Sequence, residues 1–262
     1  MPGDDQQRWL QAKLFTHPTV MDQILTRRLP GLLESLGDPD SWFVRYRTGQ
    51  EEDHLRLRIA AHDREEHAIA ARVVAHWAAQ LQSEALASRL VFDGYRPEFG
   101  RYGTGPALEA AEAVFVADSD ATRYALTDMT GLDRHIMCAL GMIDIACGLL
   151  GEEEGVSWLA TTPARGKGQI SVTRETLHRA RTEALTRHWN GSARLADAYE
   201  RCRTALAKYR SDLTDEQTGP VLESLLHMHH NRITGPDREA EAACRHAARQ
   251  ACRSLLAQGA TR

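Results

Sequence analysis

At 262 residues, with 42% hydrophobic and 26% charged side chains, the chain has the makeup of a globular protein with a packed core, which excludes a mainly disordered or fibrous one. A formal charge of −4 gives no overall attraction to nucleic acid or to an anionic membrane, so any anion binding has to come from local clusters. The five cysteines (Cys138, Cys147, Cys202, Cys244 and Cys252) include no C-x-x-C pair and fall in segments of helical pattern, which predicts buried, reduced thiols rather than a disulfide framework.

Met1 to Gln7 is polar and acidic, and no window approaches the roughly 18 apolar residues of a membrane span, so a cytoplasmic protein without export signal is expected. Residues 8–17 alternate Trp9, Gln11 and Lys13 with Leu10, Ala12 and Leu14, a period of two that predicts a half-buried strand. From Thr19 to Leu36 apolar residues recur every three or four positions, predicting a helix capped by Thr19, stopped at Gly37 and kinked or split at Pro30. Two alternating runs, 42–48 and 54–60, are joined by a short polar loop and read as a β-hairpin. Asp63 opens a helical stretch to about Leu86, and residues 89–99 look extended. The order β-α-β-β-α-β is that of the ferredoxin-like split βαβ arrangement.

Beyond Gly105 the periodicity is helical over 106–117, 121–150, 174–189, 193–210, 219–231 and 237–257. Gly151 to Ser171 reads as irregular and contains Pro163, Gly166 and Gly168; it suits a loop over a site or an exposed connector. The expectation is a single α+β domain, ferredoxin-like over 8–104 and mostly helical over 105–262.

Alternation in the hairpin groups the charged side chains. His54, Arg56 and Arg58 project from one face of their strand and Leu55, Leu57 and Ile59 from the other. Arg45 and Arg47 share a face with Phe43 on the partner strand, so up to four guanidinium groups are expected to crowd one sheet surface. Such crowding needs carboxylates or a bound anion to offset it, and arginine suits bidentate binding of carboxylate or phosphate. The same arginines would equally serve as solvated strand residues paired with Glu51, Glu52 and Asp53. Y-R-P-E-F-G-R-Y-G (95–103) brings Glu98, Arg101 and Tyr102 to a glycine-bearing turn, which also suits a plain helix entry before Pro106.

In S-L-L-H-M-H-H-N-R (224–232), His227 and His230 share a helix face at i and i+3, as do Met228 and Arg232 at i and i+4, with His229 pointing elsewhere. A metal pair is conceivable from that spacing. Without an H-E-x-x-H order or a third ligand in view, a neutral histidine acting as acid or base beside arginines is the better functional reading, and a hydrogen-bonded core histidine the plain one.

W-F-V-R-Y-R, H-L-R-L-R, Y-x-P-E-x-x-R-Y-G, the A-D-S-D of residues 117–120 and H-M-x-x-N-R occur here in the order and spacing found in the elimination domain of lantibiotic dehydratases. The chain resembles the stand-alone, thiopeptide-type bacteriocin biosynthesis version of that domain over residues 8–257. The resemblance implies a lyase that removes glutamate from glutamylated serine or threonine of a precursor peptide, leaving dehydroalanine or dehydrobutyrine. It implies a separate tRNA-Glu-dependent glutamylation protein as partner, no cofactor or metal, no direct nucleic-acid or membrane contact, and it allows a homodimer. Carried over residue by residue, the catalytic set is Arg56, Arg58, Arg101 and His227, the last beside the neighbouring His229 and His230. The substrate-binding set is Arg45, Arg47, Glu98, Tyr102, His230, Asn231 and Arg232. The same scaffold also serves pyridine synthases, which join two dehydroalanines and release the leader peptide, and a non-catalytic leader-peptide-binding role is a further alternative.

Overall fold

Leu10, Ala12 and Leu14 occupy one side of the first strand, and burying that side organises the N-terminal part of the protein. The computed structural model describes residues 8–129, 133–162 and 192–259, together with the single positions Glu175, His178, Ala180 and Thr182. It divides into two compact units, one ending at Pro97 and the other beginning at Glu98. In the first unit β1 (Trp9–Phe15), β2 (Ser41–Tyr46), β3 (His54–Ala60) and β4 (Arg89–Asp93) form an antiparallel sheet in the order β2-β3-β1-β4. With one helix between β1 and β2 and another between β3 and β4, this is the ferredoxin-like order expected from the sequence. Leu14 pairs with Leu55, Ala12 with Leu57, Leu10 with Ile59 and Phe43 with Leu57, which makes a continuous apolar layer.

The first helix, α1 (residues 21–35), follows a tight turn in which the side chain of His17, rather than Thr19, accepts from a backbone N–H. It widens over Ile24–Arg28, where the N–H of Leu29 reaches back five residues to the carbonyl of Ile24. Pro30 explains the widening: it offers no N–H and its ring crowds the preceding turn, and one extra residue in that turn relieves both. The predicted kink is thus a wide turn within a continuous helix. The second helix, α2 (Arg64–Ser83), begins where Asp63 accepts from the N–H of Glu66 and buries Ala70, Val74, Trp77, Ala78 and Leu81, a three-to-four spacing that faces one side. Trp77 Nε1 donates to the carbonyl of Arg28 at 3.2 Å and ties α2 to α1.

The described residues of the second unit form a single turn, α3 (Phe99–Tyr102), and six longer helices: α4 (Pro106–Asp128), α5 (Arg134–Leu150), α6 (Glu152–Thr161), α7 (Ala193–Ser211), α8 (Asp215–Ile233) and α9 (Arg238–Gly259). Three sequence boundaries are corrected. The helix expected over 121–150 is divided, with Asp128 ending α4 and the Asp133 side chain capping the start of α5. The polar run Asp118-Ser119-Asp120 reads as a break, yet α4 passes straight through it, because Asp118 and Ser119 face the interior and find partners there. Residues 152–161, expected to be irregular, form α6, whose first turn carries Glu152, Glu153 and Glu154 where the helix dipole favours negative charge. The rest of that irregular stretch and most of the helix expected over 174–189 lie outside the described residues.

The partners of Asp118 come from α8. Its Oδ1 accepts from His229 Nδ1 and its Oδ2 from Arg232 Nη1, both at 2.7 Å, while Arg232 Nε donates to Ser119 Oγ at 3.2 Å. Ser119 Oγ in turn donates to the carbonyl of Phe115. Burial would raise the Asp118 carboxyl, but the facing His229 and Arg232 outweigh it and hold the group below its ordinary value. The His229 ring lies where a Cβ at Gly141 would stand, so α5 can pass only because residue 141 has no side chain.

Removing Asp118 leaves a buried guanidinium without its carboxylate, a loss of about 3–5 kcal/mol for a pair of this kind. Asp118→Ala is therefore expected to lower the unfolding free energy by that amount in urea titrations. Asp120→Ala, which breaks a partly exposed ion pair to Arg123, should cost about 0–1 kcal/mol. Equal, small losses in both variants would show that the buried network does not hold the helices together.

Candidate functional site

Candidate residues fall in both units. In the first, the pairing register decides which arginines act together. Arg58 stands opposite Gln11 on β1 and Trp42 on β2, and Arg56 opposite Lys13 and Val44, so both lie on the sheet face away from the leucines. Arg58 is buried, its guanidinium 4.1 Å from the Trp42 ring centre and 6.0 Å from that of Tyr95, with Nε donating to Gln11 Oε1 at 3.0 Å. Arg56 lies 3.3 Å from the Tyr46 ring centre, pairs with Glu51 at 3.1 Å, and donates from Nε to His54 Nε2. Burial, more than any neighbour, holds the His54 imidazole below its ordinary value.

The expected surface of four guanidinium groups does not form. Arg45 pairs with Leu55 in the ladder and therefore points to the helix-covered face, where it meets Asp22 at 2.6 Å. Burial pushes that guanidinium down to about 10. A shift of one residue in strand register moves a side chain to the opposite face, and the sequence of the loop does not set that parity. Arg47 lies beyond the strand, exposed and 3.8 Å from Asp53, which is the solvated pairing the sequence also allowed.

In the second unit an open cavity of about 870 Å³ is lined by residues of α3, α6, α8 and α9 and by Thr162. Arg101 and His227 both line it. Arg101 lies in the last turn of α3, is 45% exposed and pairs with Glu98 at 3.0 Å. The turn after it needs Gly103: φ is +92°, and an added Cβ would come within 2.8 Å of Ala107 Cβ. His227 is 46% exposed, with Nδ1 2.8 Å from Glu241 Oε2 and Nε2 3.1 Å from the side-chain amide of Asn231. Glu241 is shared with Arg245 at 3.0 Å, and Arg245 also meets the carboxylate of Glu223 at 2.9 Å and its carbonyl at 3.2 Å. Arg238 lines the same cavity and has no ion-pair partner among the described residues.

Other expected binding residues are elsewhere. Tyr102 is buried against Phe115, with its carbonyl accepting from Tyr209 Oη at 2.8 Å. Arg232 is buried with Asp118, and His229 with it, so neither reaches the cavity. His230 is wholly buried and bonded to Thr234, and burial pushes its imidazole down to about 4, leaving it neutral near pH 7. Of the three histidines, His227 alone lines the cavity. Among the described residues no three His, Cys, Asp or Glu side chains are grouped to hold a metal ion.

Glu223, Arg238, Glu241 and Arg245 are cavity residues that the motif spacing did not single out. A signal existed in the i, i+4 pair Glu241 and Arg245, but it reads as an ordinary surface pair until α9 is known to fold back along α8.

Burial acts to raise the Glu241 carboxyl, yet the hydrogen bond from His227 and the charges of His227 and Arg245 bring it down to about 2. A carboxyl held below its unfolded value of about 4.3 stabilises the fold above that value, and the contribution disappears as pH falls toward the folded one. Between about pH 4.5 and pH 2 the unfolding free energy of the wild type should therefore fall by on the order of 2–3 kcal/mol more than that of Glu241→Gln. Urea denaturation at stepped pH measures it, and parallel curves for the two proteins would contradict the assignment.

Residues 9–252 match the sequence profile of the family described as lantibiotic biosynthesis dehydratase C-term. The subtilin biosynthesis protein SpaB of Bacillus subtilis is 25% identical over 94% of the chain, which spans 26% of that relative's length. Among solved structures, the tRNA-dependent lantibiotic dehydratase MibB from Microbispora sp. 107891 aligns with 99% of the chain and 29% of its own, at a TM-score of 0.79 and 21% identity. The pyridine synthase TbtD from thiomuracin biosynthesis aligns with 96% of the chain and 100% of its own, at a TM-score of 0.67 and 15% identity. At these identities the two structures show a shared fold. The profile match extends over nearly all of the sequence, and the chain belongs to the lantibiotic biosynthesis dehydratase C-terminal family.

Proposed function

We propose that this protein is a lyase that expels glutamate from glutamylated serine or threonine residues of a ribosomally made precursor peptide, leaving dehydroalanine or dehydrobutyrine. The observation that carries the reading is one cavity lined by both a half-exposed imidazole, His227, and a half-exposed guanidinium, Arg101. His227 Nε2, giving up the hydrogen bond it accepts from Asn231, takes the proton from Cα, the electron pair becomes the Cα–Cβ double bond, and the Cβ–O bond breaks with glutamate leaving as a carboxylate. Such a step needs a positioned base, worth about 10²–10⁴ in rate, and fixed donors where negative charge gathers. Arg101 offers a bidentate fork to a glutamyl carboxylate. The family resemblance also assigns catalytic roles to Arg56 and Arg58 of the first unit, and there Arg58 is held by two aromatic rings and Gln11 in a fixed orientation. The ester has to be supplied by a glutamyl-transfer reaction, for which a tRNA-Glu-dependent protein is the partner.

Incubation of the purified protein with glutamylated precursor peptide, read by mass spectrometry, tests the reading, with loss of one glutamic acid per modified site as the expected product. His227→Ala should lower kcat by about 10²–10⁴. Arg101→Lys should lose most of the activity, because a point charge does not reproduce a planar fork. Glutamyl esters that survive long incubation with folded wild-type protein would remove the proposal, and conversion of paired dehydroalanines with release of the leader would make it a pyridine synthase instead.

A further inference from the structure

A line of hydrogen bonds runs behind the cavity wall and joins five side chains. Thr234 Oγ1 is 2.6 Å from His230 Nε2, and His230 Nδ1 is 3.4 Å from Asn231 Oδ1. Asn231 Nδ2 is 3.1 Å from His227 Nε2, and His227 Nδ1 is 2.8 Å from Glu241 Oε2. Each member except one can donate or accept, so the line could in principle run in either direction. An ionised carboxylate only accepts. Glu241 therefore fixes the direction of every bond that follows.

The consequences run residue by residue. Neutral His227 must carry its hydrogen on Nδ1 to donate to Glu241, which leaves the lone pair on Nε2. That lone pair accepts from the amide of Asn231, so the amide oxygen is turned toward His230. His230 Nδ1 must then donate, which leaves a lone pair on its Nε2 to face the hydroxyl of Thr234, whose hydrogen is also offered the carbonyls of His230 at 3.0 Å and Gly235 at 3.3 Å. Arg245, held between Glu241 and both oxygens offered by Glu223, fixes the rotation of the Glu241 carboxylate that begins the line.

We propose that Glu241 is a positioning residue that sets the proton polarity of this Glu241–His227–Asn231–His230–Thr234 line and so keeps the basic lone pair of His227 on Nε2. Its catalytic consequence rests on the reading of His227 as the base. Without the carboxylate, a neutral imidazole in water favours the hydrogen on Nε2, and the whole line can reverse by turning the Asn231 amide. An imidazole with its hydrogen on Nε2 has no lone pair there to accept a proton. The charged and titratable groups around His227 are Glu241, Arg245 and Arg238 on α9, Glu223 and His230 on its own helix, and Arg101 on α3. Of these, Glu241 is within hydrogen-bond reach of Nδ1.

Long-range ¹⁵N–¹H spectra of the imidazoles, at a pH where both are neutral, read the tautomers directly. The wild type should show His227 and His230 each protonated on Nδ1, and Glu241→Leu should move the hydrogen of His227 to Nε2. On glutamylated peptide, Glu241→Leu should lower kcat by about 10²–10⁴-fold, the scale of a misplaced imidazole proton, with KM little changed. Glu241→Asp, which keeps an acceptor, should recover a large part of the loss. If Glu241→Leu does not fold, the wild-type spectrum decides alone. His227 protonated on Nε2 in the wild type, or an unchanged tautomer in a folded Glu241→Leu, overturns the inference. A wild type that shows the Nδ1 tautomer yet never turns over glutamyl esters would refute the elimination reading and leave the polarity of the line standing.

Discussion

The buried carboxylate of Asp118 fixes more of this molecule than its size suggests. By accepting from His229 and from Arg232, it sets the rotation of α8 about its own axis, since residues three apart share a helical face. His227 and Asn231, four apart, are thereby carried to another face, where one lines the cavity and the other lies behind it. A charge pair of this kind contributes little net stability against a well-packed apolar alternative, but breaking it is costly, so it acts by making other rotations of the helix unfavourable. The close approach of the His229 ring to Gly141 works in the same direction, because α5 offers space for that ring at a position without a side chain.

The return of α9 along α8 supplies a further part of the cavity wall. The connection from Thr234 to Asp237 is short, and Gly235 adopts φ +96°, which favours glycine. In an antiparallel helical hairpin, residues equidistant from the turn face each other. His227 and Glu241 lie seven residues either side of Thr234, and Glu223 and Arg245 eleven either side. Both are bonded pairs. This part of the site was legible in principle: two helical periods, a T-G-P-D turn and a symmetry count would have paired the histidine with its carboxylate. The motif alone did not, because a motif lists residues along one helix and the partner belongs to the next.

The sheet shows where pattern reading stops. Period-two alternation gave the strands, their order and the leucine face of β3, since each of these depends on local spacing. It grouped Arg45 with Arg56 and Arg58, and the ladder separates them. Whether a side chain on β2 shares a face with one on β3 depends on how a six- or seven-residue strand slides against its neighbour, a one-residue matter that alternation within each strand cannot detect. The burial of Asp118 was hidden for a related reason. A run of Asp, Ser and Asp is usually a surface break, and only the late H-M-H-H-N-R segment, more than a hundred residues away, supplies the donors that let it lie inside a helix core.

The two arginines of the cavity differ in what they can give up. Arg245 is largely buried, with two carboxylates and a carbonyl around it, and losing either carboxylate weakens the compensation of a charge held away from water. Arg101 is half exposed and meets a single, more exposed carboxylate, Glu98, an association worth about 0–1 kcal/mol. Under the proposed elimination, an incoming glutamyl carboxylate exchanges with Glu98 at almost no cost, whereas it cannot compete for Arg245. On that proposal the cation that holds Glu241 beside His227 is separate from the cation that meets the leaving group, and a site arranged in this way would bind and release an anion without disturbing the imidazole.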